Sequence, residues 1–133
     1  MSGAPDRFRL KRVYAPAAPE DGLRVLVDRL WARGLTKEKA HVDLWLKAVA
    51  PSDALRRRLH ADPRPSAALW DEFCDAYARE LAEEPARAAV RELMEKAAQG
   101  PVTLLFAAKD ETHNNALALK EWLEAHPRPD LSR

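Results

Sequence analysis

Two short apolar runs, "LRVLV" at 23–27 and "VTLLFAA" at 102–108, constrain the fold more than any other feature of the chain. Neither alternates between apolar and polar residues, so each reads as a strand covered on both faces, the habit of a parallel sheet buried between layers. Their β-branched and aromatic content supports the same reading. Parallel neighbours need crossovers of a dozen or more residues, and helices are the usual crossovers. Helical patterns do lie between the runs. The expectation is a Rossmann-like α/β fold of three layers, a small and mostly parallel sheet flanked by helices.

With 133 residues, 47% of them hydrophobic, the chain has the size of one domain and enough apolar content for a real core. We read 1–133 as a single α/β domain, with 1–6 and 127–133 as flexible tails. No apolar stretch approaches the ~18 residues of a membrane span, and the start "MSGAPDRFRLKR" lacks a signal-peptide core. A cytoplasmic protein that meets no membrane is expected. The lone Cys74 cannot form an internal disulfide, which agrees with that compartment. Net charge is +1, but residues 1–60 hold 13 Lys/Arg against 7 Asp/Glu, and residues 61–133 hold 9 against 14. The balance argues against nucleic acid as a partner and for a local basic face suited to a small anion.

The remaining elements follow from periodicity and punctuation. "RFRLKRVY" at 7–14 alternates and reads as a strand with one wet side. "APAAPEDG" is a loop, and "DLWLKAV" at 43–49 fits either a strand or one helical turn. Ser52 can cap a helix that Asp53 favours at its positive end, stopping near His60. Leu69, Trp70, Phe73, Tyr77 and Leu81 form one face of a long helix and read as core. Pro85 breaks or restarts it, and helix resumes to Gly100. "ETHNNALALKEWLEAH" reads as the last helix.

In open parallel sheets a ligand sits outside the carboxyl ends of the strands. The strand exits place Arg12 and Tyr14 after the first strand and Asp28, Arg29, Trp31 and Arg33 after the second. Lys47, Pro51 and Ser52 follow the third, and Lys109, Asp110 and Asn114 the last. All should converge at one end of the sheet. The guanidinium and ammonium groups of Arg29, Arg33 and Lys109 could clamp an anion, Ser52 and Asn114 could orient it, and Asp28 is the candidate general base. The plainer alternatives are a surface ion pair at Asp28–Arg29 with Trp31 as a lid on the core, and Ser52 and Asp110 as simple caps. Arg56, Arg57 and Arg58 point around their helix and read as a solvated face, His113 as structural, and Cys74 as an inert, buried thiol. His41, His60, His126 and Cys74 show no ligand spacing, so no metal is expected. Glycines stand only at 3, 22, 34 and 100, which excludes a GxGxxG turn and a phosphate loop, and no cofactor is expected.

The residues "KRVY", "DGLRVLVDRLWARG", "APS", "LLFAAKD" and "NNA" resemble the YeaO-like branch of the family called domain of unknown function 488, over residues 10–124. The resemblance implies a compact Rossmann-like fold and marks as family motif positions Lys11, Arg12, Tyr14, Asp21, Gly22, Arg24, Asp28, Arg29, Trp31, Arg33, Gly34, Trp45, Pro51, Ser52, Arg56, His60, Lys109 and Asn114. Two departures stand out: Ala32, where the family often has proline, and Asn115, where it often has histidine. The family name implies no activity. The sequence therefore points to a pocket at the strand ends that binds, and could hydrolyse or transfer, a phosphorylated or anionic small molecule such as a nucleotide. The alternative is a noncatalytic domain that docks a protein or nucleic-acid partner through its Arg and Trp cluster.

Overall fold

A computed structural model describes residues 8–62 and 64–126; the segments expected to be flexible tails lie outside the described residues. Four strands form one all-parallel sheet: β1 (Phe8–Arg12), β2 (Leu23–Leu26), β3 (Leu44–Trp45) and β4 (Val102–Phe106), in the order β1-β4-β2-β3. The helices are α1 (Lys37–Ala40), α2 (Asp53–His60), α3 (Ala67–Leu81), α4 (Ala86–Gln99) and α5 (Asn115–Ala125). Both continuous apolar runs are interior strands, as their lack of alternation requires, and the alternating first strand is an edge. This is the expected α/β architecture.

The two faces of the sheet are covered unequally. Phe8, Val25, Val27, Leu104 and Phe106 bury one face against α2, α3, α4 and α5, with Leu59, Phe73, Tyr77, Leu93 and Leu119 filling the layer. The Tyr77 hydroxyl donates to the Val49 carbonyl, so a buried polar tip finds its partner. On the other face, among the described residues, Val13, Leu26 and Leu105 meet Ala32, Ala40 and the half-buried Trp31, Leu35, Val42, Trp45 and Ala107. That cover is mostly loop, plus the four-residue α1, which is too short to show a helical period in sequence.

Strand ends fall earlier than the apolar runs suggest. Val27 still donates to the Leu105 carbonyl at 3.1 Å, but the chain leaves the sheet at Asp28, and the pairing of β4 with β1 stops at Phe106. The 43–49 segment is both things its pattern allowed, a two-residue strand followed by a 3-10 turn at Lys47–Val49. The last helix begins at Asn115 rather than 111. The Asp110 carboxylate accepts from Thr112 N, Thr112 Oγ1 and His113 N at 2.8–3.1 Å, which gives these groups a turn in place of a helix.

At the amino end of the sheet the loop cover is held by a buried charge cluster. Asp21 and Arg24 are 3% and 4% exposed and meet at 2.6 Å, and Lys11 reaches Asp21 at 2.9 Å. Arg24 also donates to the carbonyls of Ala40 and His41, which closes the carboxyl end of α1. Burial works against the Asp21 charge, but hydrogen bonds from Lys11, the Ala18 amide and Arg24 outweigh it and hold the carboxyl below its ordinary 3.8. Next to it Gly22 has φ +66°, and a Cβ there would lie 2.3 Å from the Pro101 carbonyl oxygen, so this turn requires glycine.

Because Asp21 is ionised more readily in the folded chain, its stabilising contribution is whole above its ordinary value and drains as pH falls through the lower folded one. Asp21→Asn is expected to cost about 3–5 kcal/mol at neutral pH, since it leaves the Arg24 charge buried and unpaired. It should also flatten the acid limb of the stability profile. Urea melts between pH 2.5 and 7 check both.

Candidate functional site

The site follows from how the chain leaves two neighbouring strands. From β2 it passes over the loop-covered face, and from β4 it passes to α5 on the opposite face. A crevice opens where adjacent strands send their connections to opposite sides, and this is where open α/β sheets hold ligands. Asp28 and Ala107 stand on its two sides.

Asp28 bridges that opening. Its Oδ2 accepts the Ala107 N–H at 2.9 Å, taking the amide that β2 would have paired had it continued, and its Oδ1 accepts from Asn115 Nδ2 at 3.1 Å. The same Asn115 nitrogen lies 3.2 Å from the Val27 carbonyl. Burial pushes the Asp28 carboxyl above its ordinary value; the Ala107 and Asn115 hydrogen bonds and the charges of His60 and Arg56 restrain the rise. No Asp28–Arg29 ion pair forms, so the surface-pair alternative is corrected.

The crevice is a cavity of about 320 Å³, whose walls include Tyr14, Asp28, Arg29, Trp31, Arg33, Arg56, His60 and Asn115. Arg29 donates to the Pro51 carbonyl at 3.1 Å and lies 3.9 Å from Asp53. Asp53 also meets Arg56 at 3.3 Å and Arg57 at 3.8 Å, so one half-exposed carboxylate serves three guanidiniums. Nε of Arg56 is buried without a hydrogen-bond partner. His60 is pushed below its ordinary value by burial and then by Arg56, against the pull of Asp28 and Asp110.

The expected site residues share one end of the sheet but not one surface. Arg12 donates to the Ala107 and Ala108 carbonyls at 3.0 Å and lies 5.0 Å over the Tyr14 ring, bracing the cavity from behind. Tyr14, Asp28, Arg29, Trp31 and Arg33 line the cavity. Ser52 caps α2 through Leu55 N, and its amide and hydroxyl both bond the Glu80 carboxylate. Asn114 is fully buried as the cap of α5, its Oδ1 accepting Leu117 N and its Nδ2 donating to the Asp110 carbonyl. Lys109 lies in an adjoining hollow. Arg56, read as part of a solvated face, turns out to be half-buried in the cavity wall, whereas Arg57 and Arg58 are exposed. Asn115 and His60 are further wall residues. Helix phase placed Arg56, Arg57 and Arg58 around α2, but only the docking of α2 beside β2 selects which one faces the crevice.

Cys74 is half-buried, and its thiol is pushed up to about 11 by burial and by Glu121, Asp71 and Asp75, which keeps it protonated and unreactive. Among the described residues no group of three or more His, Cys, Asp or Glu is placed to hold a metal. None of their helices is long and apolar enough to cross a membrane.

Asn115→Ala removes the amide shared by Asp28 and Val27. Stability is expected to fall by about 1–3 kcal/mol, and the Asp28 carboxyl to titrate higher than in the native chain, since one of the groups restraining it is gone. Urea melts and carboxyl-carbon NMR titration measure the two effects; an unmoved Asp28 titration would contradict the bridging role.

The comparisons agree with the resemblance carried by the motifs. The family described as "Inactive DUF488-N3 subclade" matches residues 7–130. Uncharacterized protein YeaO of Escherichia coli is 41% identical over 118 residues, covering 89% of this chain and 97% of its own. Uncharacterised proteins of Mycobacterium bovis and Mycobacterium tuberculosis are each 38% identical over 117 residues, covering 88% of this chain and 93% of theirs. No solved structure matches. The chain therefore belongs to the domain of unknown function 488 family, within the subclade described as inactive, as a relative of YeaO.

Proposed function

We propose that the strand-end cavity binds a small phosphorylated anion and does not turn it over. One observation carries the reading: among the described residues, three arginines, Arg29, Arg33 and Arg56, line one cavity against one carboxylate, that of Asp28. A cleft lined by an excess of positive charge favours an anion within it. A guanidinium presents a planar fork that suits phosphate, which is why arginine is favoured for this task. The cavity is near the lower end of the ~300–1,000 Å³ range of small-molecule sites. In this reading Arg29, Arg33 and Arg56 hold the anion and Tyr14 and Trp31 form its apolar wall.

Two points favour binding over catalysis. Both Asp28 oxygens already accept hydrogen bonds from the fold, so the carboxylate serves as the wall of the crevice rather than as a general base. The subclade's description as inactive supports the same view. Docking of a macromolecule through the Arg and Trp cluster is less well supported. Trp31 is half-buried, sits 5.3 Å from Trp45 edge-on, and spends its indole N–H on the Leu35 carbonyl, so it offers no flat exposed face.

Calorimetric titration with inorganic phosphate tests the proposal. Arg56→Ala is expected to weaken binding by about 1.5–3 kcal/mol, the range of a hydrogen bond to a charged group, with little change in the melting temperature. Arg29→Lys should recover only part of what Arg29→Ala loses, since the fork is gone. Unchanged affinity in Arg56→Ala and Arg29→Ala, or a native chain that binds no phosphate, would overturn the reading.

A further inference from the structure

A second hollow, also about 320 Å³, adjoins the first, and the two share His60 and Ala108. Its chemistry differs. Leu59, Pro65 and Ala108 give it an apolar floor, and among the described residues the rim carries the carboxylates of Asp62 and Asp110 and the ammonium of Lys109. Two carboxylates against one ammonium do not suit a second phosphate. They suit hydroxyl donors, because an ionised carboxylate only accepts hydrogen bonds and can take two at once. Asp110 spends Oδ1 on the turn at Thr112 and His113 and holds Oδ2 3.5 Å from His113 Nδ1, whereas Asp62 spends Oδ1 on Arg64 N, which leaves its Oδ2 as the oxygen that no hydrogen bond among the described residues claims. The hollow has a firm wall, since the His113 ring packs edge-on against Trp70 at 5.2 Å and Trp70 stacks on Phe73.

We propose that the second hollow seats the neutral, hydroxyl-bearing part of the same ligand, and that this ligand is a ribonucleoside monophosphate. The inference rests on the anion-binding reading of the first cavity. A basic cavity joined to a hollow with an apolar floor and acceptor carboxylates matches a molecule with a phosphate at one end and, at the other, a sugar diol that carries a planar ring able to lie on that floor. An acidic residue that accepts from ribose hydroxyls beside a phosphate site is a recurrent arrangement in α/β folds. Here Asp62 takes the ribose hydroxyls, Lys109 closes the mouth, and His60 stands between phosphate and sugar.

The test compares three probes on the full chain by calorimetry: inorganic phosphate, a set of ribonucleoside 5′-monophosphates, and their 2′,3′-dideoxy counterparts. At least one ribonucleotide is expected to bind about tenfold or more tighter than phosphate and than its dideoxy form, the effect of losing hydrogen bonds that a built site expects. Asp62→Asn should narrow the gap between ribo and dideoxy forms while phosphate affinity stays as in the native chain. If phosphate binds and Arg56→Ala weakens it, yet no ribonucleotide binds tighter than phosphate or than its dideoxy form, the second-hollow assignment is overturned and the first cavity's role stands. If none of the probes binds, both readings fall.

Discussion

The Asp28 carboxylate is the interaction on which the arrangement of the strand ends depends. Parallel strands share a ladder only as long as both remain in register, and β2 leaves β4 one residue after Val27 pairs with Leu105. The next amide, that of Ala107, would be stranded at a half-buried position, and unpaired backbone donors there are rare because they are costly. Asp28 supplies the missing acceptor and, with its other oxygen, takes hold of Asn115 at the head of α5. One side chain thus ends two strands and positions a helix. The crevice stays open because the acceptor is a short side chain and not a continuing strand.

A second charge cluster does the corresponding work at the opposite end. Arg24 and Asp21 carry the thinly covered face, where apolar contacts are few and α1 has only four residues. A buried ion pair is weak evidence for stability, since desolvation offsets the attraction. What this one adds is geometry: the Arg24 fork collects the carbonyls of Ala40 and His41, which a hydrophobic substitute could not satisfy. His41, at φ +52°, turns the chain out of α1 at the point where those carbonyls are gathered. The loop that carries Arg29, Trp31 and Arg33 is therefore fixed at both ends by charge, at Asp28 and at Arg24.

Much of this was legible in the sequence, and the failures have physical causes. Unbroken apolar runs identified the two interior strands because burial on both faces removes alternation. The same rule put Asp28 at a strand exit. Where the sequence misled, the deciding partner lay far along the chain. Ser52 reads either as a helix cap or as a hydroxyl to orient an anion; it caps α2, and Glu80, 28 residues away, claims both its amide and its hydroxyl. In "THNNA" the sequence offers Asn114 as an orienting group and marks Asn115 as a departure from the family pattern. The turn built by Asp110 delays the helix by four residues, making the first a cap and sending the second toward Asp28. Had α5 begun at Glu111, the two roles would have been assigned differently. Arg56 was hidden for a related reason, because a helix's own period does not say which neighbour it meets.

The distribution of strain within the crevice bears on what such a site is for. A fold with no use for the cavity could place an aliphatic side chain at position 56 and avoid both an orphaned Nε and the crowding of three guanidiniums on Asp53. Local violations of polar satisfaction tend to mark functional positions, and among the described residues the other buried side-chain atom without a hydrogen bond, Glu124 Oε2, has the Lys120 ammonium at 2.9 Å. Asp53 is half-exposed, and solvent weakens its hold on each arginine. A ligand oxygen inside the cavity would meet less screening than Asp53 does and could draw the guanidiniums to itself without breaking anything on which the fold depends. On the proposed reading the apo site is therefore held together by a replaceable counter-ion, while the groups that must not move, Asp28 and Asn115, are bonded to the backbone or to each other.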